Sequence, residues 1–126
     1  MERLKNKTAL IVDDDSRNTY ALSCYLETLG MKIEVAENGE EAILKLKDGA
    51  KADIVLLDIM MPVMDGYETL AELKKDASLK TIPVIAVTAK AMKGDKEKCL
   101  EAGAWDYIAK PLDMNTLVDK ITRWIL

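Results

Sequence analysis

Short apolar runs alternate with stretches of helical spacing along the whole chain. Apolar residues that recur three or four positions apart predict helices, and the first such stretch ends at Gly30. Short runs rich in Ile, Val and Leu predict buried strands. The five predicted strands are Thr8–Val12, Lys32–Val35, Ile54–Leu57, Val84–Val87 and Tyr107–Ala109.

Each predicted strand is followed by a predicted helix. The fourth helix, Met92–Ala102, is mostly charged and has few apolar residues, so we expect it to dock weakly on the sheet. The other four helices carry apolar stripes with clear helical spacing. These stripes are Leu22, Tyr25, Leu26 and Leu29; then Ala42, Ile43 and Leu46; then Leu70 and Leu73; and finally Leu117, Ile121 and Trp124.

Five strand–helix repeats in a row predict an α/β fold. Parallel strands covered by helices on both faces are apolar on both sides, as in the runs IVLL and VIAV. We therefore expect a (βα)5 domain, in which a doubly wound five-stranded parallel sheet lies between two helical layers. No linker or low-complexity segment interrupts the pattern. Residues 1–126 should thus form a single domain with a core from about residue 7 to residue 125.

Composition narrows the classes of function. The chain has 126 residues, of which 49% are hydrophobic and 32% are charged, and its net charge is −4. Because it shows no basic stripe, we expect no direct nucleic-acid binding. No apolar run reaches the length of a membrane span, and the polar start MERLKNK lacks the apolar core of a signal peptide. We therefore expect a cytoplasmic protein.

Two residue types that often carry chemistry are absent or sparse. The chain contains no histidine, which excludes a histidine general base, a histidine metal ligand and a phosphohistidine supplied by this chain. Cys24 and Cys99 lie far apart and form no CxxC motif. We expect them to be free thiols, buried or half-buried, rather than metal ligands.

Polar and charged side chains follow the predicted strands at their carboxyl ends. In an open doubly wound sheet these ends meet at one edge, where ligands bind. Clustered carboxylates there need a counter-charge, and hard oxygen ligands suit Mg²⁺. A lysine and a hydroxyl would add donors for phosphoryl oxygens, so the set predicts a phosphoryl-transfer site. Its members are Asp13, Asp14 and Asp15 after the first strand, Asp58 after the third, Thr88 after the fourth and Lys110 after the fifth.

The three consecutive aspartates need not act alike. The first helix should start near Asp15 and Ser16, and either residue could cap it. Asp13 and Asp14, taken alone, also fit a solvated acidic loop. The matching residues on the other strands favour a metal-binding pair over that simpler interpretation.

Four motifs together resemble the receiver domain of two-component response regulators. They are VDDD at 12–15, DIMMPVMDG at 58–66, VTA at 87–89 and DYIAKP at 106–111, in the order and spacing of that family. The resemblance covers nearly the whole chain and implies a flavodoxin-like fold with strand order 2-1-3-4-5. The stretch KGDKEKCLEAGAWDYIAKPLD at 93–113 is similar to receivers carried at the end of hybrid histidine kinases.

The resemblance implies a metal-dependent phosphoacceptor site. Asp58 would accept the phosphoryl group and, together with Asp13 and Asp14, would hold Mg²⁺, for which Mn²⁺ would substitute. Asp14 would bind the ion directly, and Asp13 would act more through water. The backbone carbonyl of Met60 would complete the protein's metal ligands.

The resemblance also implies a switch and a partner. Thr88 would move to the phosphoryl group, Tyr107 would turn inward, and Lys110, before a cis peptide to Pro111, would bond a phosphoryl oxygen. A histidine kinase or a histidine phosphotransfer domain would supply the phosphohistidine. The domain would assist its own phosphorylation and dephosphorylation without being an enzyme. The face formed by the fourth helix, fifth strand and fifth helix would change, in a monomer or a weak phosphorylation-dependent dimer.

Three alternatives stay open at this point. A phosphohydrolase of the haloacid dehalogenase type would use Asp13 as the nucleophile, in the pattern Asp13-x-Asp15. That fold needs a longer chain, and it leaves DIMMPVMDG unexplained. A flavodoxin-like electron carrier needs a phosphate loop at the place where DDDS would repel flavin phosphate. A pseudo-receiver would bind partners without being phosphorylated, although the acid set is intact.

Overall fold

Five strands alternate with five helices, as the apolar pattern predicts. The computed structural model describes residues 4–49, 51–60, 64–88, 94–110 and 112–125. Within these ranges no helix has the length and apolar character to cross a membrane. In chain order the elements are β1 Thr8–Val12, α1 Ser16–Thr28, β2 Lys32–Ala36, α2 Gly39–Lys47, β3 Ile54–Asp58, α3 Gly66–Lys75, β4 Val84–Thr88, α4 Asp95–Ala102, β5 Asp106–Ala109 and α5 Met114–Ile125.

The strands form one parallel sheet in the order β2-β1-β3-β4-β5. β1 lies between β2 and β3, with Ile11 opposite Val35 on one side and Leu56 on the other. This confirms the predicted α/β fold and the strand order that the resemblance implies. β3 and β4 each run one residue further than predicted, so that Asp58 and Thr88 are themselves the last residues of their strands.

Each face of the sheet carries its own apolar cluster, because successive strand residues point to opposite faces. Leu10 and Val12 of β1 join the cluster beneath α2, α3 and α4, whereas Ala9 and Ile11 join the cluster beneath α1 and α5. Burying one Leu or Ile side chain fully contributes about 1.5–3 kcal/mol. The sheet is therefore apolar on both faces in its three central strands, whereas the edge strand β2 is partly exposed and carries Glu34 at its centre.

The first three helices each start with a side-chain cap. Asp15 caps α1, where its Oδ1 accepts a hydrogen bond of 2.9 Å from the backbone N–H of Arg17. Asn38 caps α2 in the same way, and Asp65 caps α3 in a reciprocal capping box with Glu68. Of the two positions predicted to cap the first helix, 15 and 16, the structure thus assigns the cap to position 15.

The first helix departs from expectation at its cysteine. Gly30 follows the end of α1 with φ +88°, in agreement with the predicted stop. Leu22 and Leu26 are buried beneath the helix, but Cys24 is exposed. The expectation that both thiols are at least half-buried is therefore wrong for Cys24. This residue lies about 200° around the helix from each of the two leucines, on the solvent side.

α4 has few buried contacts. It lies between Gly94 and Gly103, whose φ angles of +98° and +121° are the left-handed values that favour glycine. Cys99 is the buried residue of this helix, which agrees with the weak docking expected from its charged sequence. The predicted start of the helix at Met92 lies outside the described residues.

A buried carboxylate ties the last helix to the last strand. Asp106 of β5 is 7% exposed and accepts hydrogen bonds from Lys120 Nζ at 2.9 Å and from Trp124 Nε1 at 2.8 Å. The backbone N–H of Tyr107 also donates to this carboxylate. Burial alone would raise the pKa of Asp106, but the donors from Trp124, Lys120 and Tyr107 outweigh burial and hold the pKa below its usual value.

We predict that Asp106→Asn lowers the free energy of unfolding at pH 7 by about 1.5–3 kcal/mol, because two charge-assisted hydrogen bonds are weakened. The pKa of Asp106 is lower in the folded state than in the unfolded state. The charge therefore stabilises the fold fully above pH ~4, and the stabilisation is lost as the pH falls through the folded-state pKa. Urea unfolding of both proteins at pH 7 and near pH 2.5 measures the difference.

Asp119→Asn is the matched control, because Asp119 is an exposed carboxylate of α5, the helix that Asp106 holds. Its substitution should change stability by less than about 0.5 kcal/mol. We call the hydrogen bonds of Asp106 with Lys120 and Trp124 the clamp. If Asp106→Asn lowers the free energy of unfolding as little as the control does, or equally at both pH values, the stabilising role of the clamp is contradicted.

Candidate functional site

Two buried carboxylates lie side by side at the carboxyl edge of the sheet. Val12 of β1 is paired with Leu57 of β3, so the residues that follow them, Asp13 and Asp58, are neighbours. Each of these two residues is 5% exposed. Lys110 bridges them, since its Nζ lies 3.4 Å from Asp13 Oδ2 and 3.4 Å from Asp58 Oδ2. The structure therefore brings together an acid pair and a lysine that are far apart in the sequence.

The other oxygen of each carboxylate is held by the loop that follows it. Asp13 Oδ1 accepts a hydrogen bond of 2.9 Å from the backbone N–H of Asp15. Asp58 Oδ1 accepts one of 2.9 Å from the backbone N–H of Met60. Both bonds run to the residue two positions later, which is the short-range pattern that aspartate favours in turns. The two carboxyl groups are thus oriented by the backbone, with Oδ2 directed at Lys110.

Charge and burial oppose each other at Asp58. Burial raises the pKa of Asp58, the N–H of Met60 lowers it, the neighbouring charge of Asp13 raises it, and Lys110 lowers it. The net pKa is above the usual value. For Lys110, burial lowers the pKa, but the charges of Asp58 and Asp13 outweigh burial and raise it. The lysine is therefore firmly cationic, while the charge on the Asp58 carboxylate is only partly compensated.

A third carboxylate completes a possible metal-binding group. Asp13, Asp14 and Asp58 each offer one oxygen, and these oxygens lie within 4.8 Å of one another. Asp14 is exposed, whereas the other two are buried. An all-oxygen, anionic donor set of this size fits a hard divalent cation such as Mg²⁺ better than a soft metal. The position of Asp15 as helix cap separates it from this group.

The structure places Thr88 at the same edge and Tyr107 within the neighbouring strand β5. Val87 is paired with Asp58, so Thr88 is one residue beyond the acceptor position on the next strand, and it is 2% exposed. The backbone N–H of Lys110 donates to the carbonyl of Thr88 at 2.9 Å, which holds the two residues together. Tyr107 is half-buried on β5, opposite Ala86. Their roles, and that of the Met60 carbonyl, stay predictions; Pro111 lies outside the described residues.

The Asp65-Gly66 pair has a steric reason for its place after Asp58. A Cβ added to Gly66 would lie 2.5 Å from the Cα of Ile59 and 3.1 Å from the carbonyl oxygen of Asp58. The start of α3 can therefore approach the backbone of the acceptor strand only through glycine. Asp65 fixes the same helix start through its capping box with Glu68.

Two features of the site have no signal in the sequence. The first is the hydrogen bond from the N–H of Met60 to Asp58. The sequence pointed to Met60 only as a carbonyl ligand of the metal. The second is a cavity of about 480 Å³ that adjoins Asp13, Asp58 and Lys110. Its other lining residues are mostly apolar residues of strands and helices, and in the sequence such residues are indistinguishable from ordinary core.

Comparison with known proteins agrees with this geometry. The family model of the response regulator receiver domain matches residues 9–122 of the sequence. Protein PilH from Pseudomonas aeruginosa is 41% identical over 112 residues, which are 89% of this chain and 92% of PilH. The probable transcriptional regulator ycf29 from Pyropia yezoensis is 40% identical over 116 residues, or 92% of this chain and 52% of ycf29. The chain thus spans about half the length of that relative.

A solved structure gives the same result in three dimensions. The receiver domain of the sensor histidine kinase PA1611 from Pseudomonas aeruginosa, with a magnesium ion coordinated in its active site cleft, is 33% identical. It superposes with a TM-score of 0.86 over 95% of this chain and 98% of that one. The haloacid dehalogenase alternative receives no support. The chain belongs to the response regulator receiver domain family, the phosphoacceptor signalling domains of two-component systems.

Proposed function

We propose that this chain is a phosphorylation-dependent signalling switch, which accepts a phosphoryl group on Asp58 from a phosphohistidine of a partner protein. The observation that carries the proposal is the setting of Asp58. Its carboxylate ends a buried strand, is oriented by the N–H of Met60, faces the ammonium group of Lys110 and adjoins Asp13. This is an acceptor with a cation placed for the incoming phosphoryl oxygens.

The transfer can be written with this chain's atoms. Asp58 Oδ1 is engaged by Met60, so Oδ2, the oxygen that faces Lys110, is the nucleophile. Its lone pair attacks phosphorus, a P–O bond forms, and the P–N bond to the partner's imidazole breaks. The imidazole nitrogen keeps that electron pair. Lys110 then lies beside the new phosphoryl group, and the buried hydroxyl of Thr88 offers a further donor on the next strand.

Asp13, Asp14 and Asp58 would hold Mg²⁺, with Mn²⁺ as a substitute and the carbonyl of Met60 as a further ligand. The ion would neutralise charge on the carboxylates and on the phosphoryl oxygens. Without it, three carboxylates face one lysine, and an approaching phosphoryl group would add to the repulsion. The magnesium ion in the cleft of the PA1611 receiver domain supports this assignment.

The partner we propose is a histidine kinase or a histidine phosphotransfer domain. The donor histidine must come from another protein or domain, because this chain contains none. Relatives include both PilH, which the chain covers almost fully, and the kinase BarA from Escherichia coli, of which it spans 13%. Both a stand-alone regulator and a receiver of a hybrid kinase are consistent with these relatives. We place the domain in the cytoplasm, as a monomer or a weak phosphorylation-dependent dimer.

The output would involve α4, β5 and α5. Movement of Thr88 to the phosphoryl group, with Tyr107 turning inward, would shift β5 relative to α4. α4 is suited to such a shift, because only Cys99 of its residues Asp95–Ala102 is buried and few contacts hold the helix in place. α5, in contrast, is fastened to β5 by Asp106, and would therefore move with the strand.

We predict that Asp58→Asn abolishes phosphoryl incorporation. Radiolabelled acetyl phosphate with Mg²⁺, or a phosphorylated histidine phosphotransfer domain, should label the wild-type chain but not this variant, because an amide is not a nucleophile for phosphorus here. Asp13→Asn should still be labelled, although more slowly. Label that is kept in Asp58→Asn and lost in Asp13→Asn would instead favour the hydrolase-type nucleophile. No label on the wild-type chain would favour a pseudo-receiver.

We predict that the three aspartates of the DDD run differ in their effect on Mg²⁺ affinity. Substituting Asp14 by Asn should weaken Mg²⁺ binding most, Asp13→Asn less, and Asp15→Asn least, because the carboxylate of Asp15 caps α1. Loss of Asp13, which acts on the ion through water, should cost roughly tenfold to a hundredfold in affinity, and loss of the direct ligand Asp14 should cost more. Calorimetric titration of each variant measures this order. An Asp15→Asn variant that is as impaired as Asp14→Asn would contradict the division of roles.

We predict opposite shifts in the pKa of Asp58 for two variants of the metal-free protein. Lys110→Met should raise the pKa of Asp58, because a nearby positive charge is lost, and Asp13→Asn should lower it, because a negative charge is lost. Titration of ¹³C-labelled aspartate carboxyl groups by NMR, with a chelator present, measures both shifts. Lys80→Met, an exposed lysine that precedes β4 at the other end of the sheet, is the control and should leave this pKa unchanged.

A further inference from the structure

A cavity of about 480 Å³ lies next to the acid pair, on the side of the sheet covered by α1 and α5. One end of it is polar, formed by Asp13, Asp58 and Lys110. Apart from Asn18 of α1, the rest is walled mainly by apolar side chains from three strands, from α1 and from the segment at the start of α5. These are Ile11, Leu22, Leu56, Val87, Leu112 and Met114.

The proposed phosphoryl transfer does not use this apolar region. The reacting groups are carboxylates, an ammonium group and a hydroxyl, and none needs a hydrophobic wall. Protein interiors are normally filled to the density of organic crystals, and apolar cavities as small as ~150 Å³ bind apolar molecules. The volume here falls within the range of roughly 300–1,000 Å³ that is typical of small-molecule pockets. The cavity therefore has the size and the lining of a ligand site.

The charge at its polar end selects the kind of ligand. Among the described residues, two buried carboxylates line it, with Asp14 close by, against the ammonium group of Lys110. Carboxylates that outnumber their cations favour a ligand that brings a positive charge. The apolar walls favour a hydrocarbon or aromatic body attached to that charge.

We propose that this cavity binds small apolar amines, with the ammonium group at Asp13 and Asp58 and the apolar body against Leu22 and Leu56. Such a ligand occupies the oxygens that would otherwise hold a divalent cation, so it lowers the rate of phosphorylation. This regulatory consequence rests on the proposed function, whereas the binding itself does not. Neutral apolar compounds and side chains of a partner protein are the other conceivable occupants.

The test uses the full chain in metal-free buffer, with 2-phenylethylamine as the probe and 2-phenylethanol as its uncharged counterpart. Methyl NMR signals of Ile11, Leu22, Leu56 and Val87 report on occupation of the cavity. We expect saturable shifts with the amine, and an affinity for the alcohol that is about tenfold lower, as for the loss of one charge-assisted contact. Asp13→Asn should weaken binding of the amine and leave binding of the alcohol unchanged.

Variants of α1 and competition with Mg²⁺ show whether binding is specific to this site. Ala21 is exposed and lines the cavity, so Ala21→Leu should narrow the opening and weaken binding of the amine. Cys24 is an exposed residue of the same helix that does not line the cavity, so Cys24→Leu should leave binding of the amine unchanged. Added Mg²⁺ should compete with the amine, and the amine should slow labelling by acetyl phosphate at limiting Mg²⁺.

The proposal is overturned if millimolar amine gives no saturable methyl shifts. It is also overturned if amine and alcohol bind equally well and Asp13→Asn affects neither, because the cavity would then be an unselective apolar site. A wild-type chain that is labelled on Asp58 but does not bind the amine refutes this proposal alone and leaves the proposed function intact. A chain that binds the amine but is never labelled refutes the proposed function and leaves the amine site standing.

Discussion

The contact of Lys110 with both Asp13 and Asp58 is the interaction on which the site depends. Two carboxylates with oxygens less than 5 Å apart repel each other by roughly 3 kcal/mol at an effective dielectric constant of ~20. Burial makes that repulsion more costly, because neither group can be screened fully by water. Lys110 Nζ, 3.4 Å from an oxygen of each carboxylate, offsets part of this cost. A further cation would stabilise the pair more.

The strand order makes this contact possible. β1 and β3 are adjacent in the sheet although a whole strand–helix unit separates them in the chain, so Asp13 and Asp58 end neighbouring strands. β4 follows β3 and brings Thr88 next to the acceptor, and β5 brings Lys110 to the same edge. The side chain of Lys110 then reaches back across the edge to the acids. Apolar packing on both faces of the sheet fixes these positions, and the charged edge depends on that packing.

Much of this could be predicted from the sequence. The central strands β1, β3 and β4 were predictable because both faces of the sheet are covered there, which makes each of them a short apolar run. Their ends were less exact, since Asp58 and Thr88 are strand residues that hydrophobicity alone assigns to loops. The grouping of Asp13, Asp14, Asp58 and Lys110 followed from the rule that parallel strands share one functional edge.

Other features depend on side-chain position and could not be predicted. The N–H of Met60 at Asp58, the clamp of Asp106 on α5 and the cavity beside the acids each arise from contacts between residues whose types are unremarkable in sequence. Asp106 shows this well: in the sequence it is one more aspartate before a strand, and in the fold it is buried with three donors. The clamp of Asp106 and the cavity beside Lys110 both lie on the face covered by α1 and α5. The clamp is at the start of β5, and the cavity is at its end.

The most direct test of the central claim is to locate the phosphoryl group on the unmodified chain. After phosphorylation in the presence of Mg²⁺, borohydride reduces an aspartyl phosphate to homoserine, and mass spectrometry of peptides identifies the converted position. The account predicts homoserine at position 58 and aspartate at positions 13, 14 and 15. Homoserine at position 13, with position 58 unchanged, would contradict it.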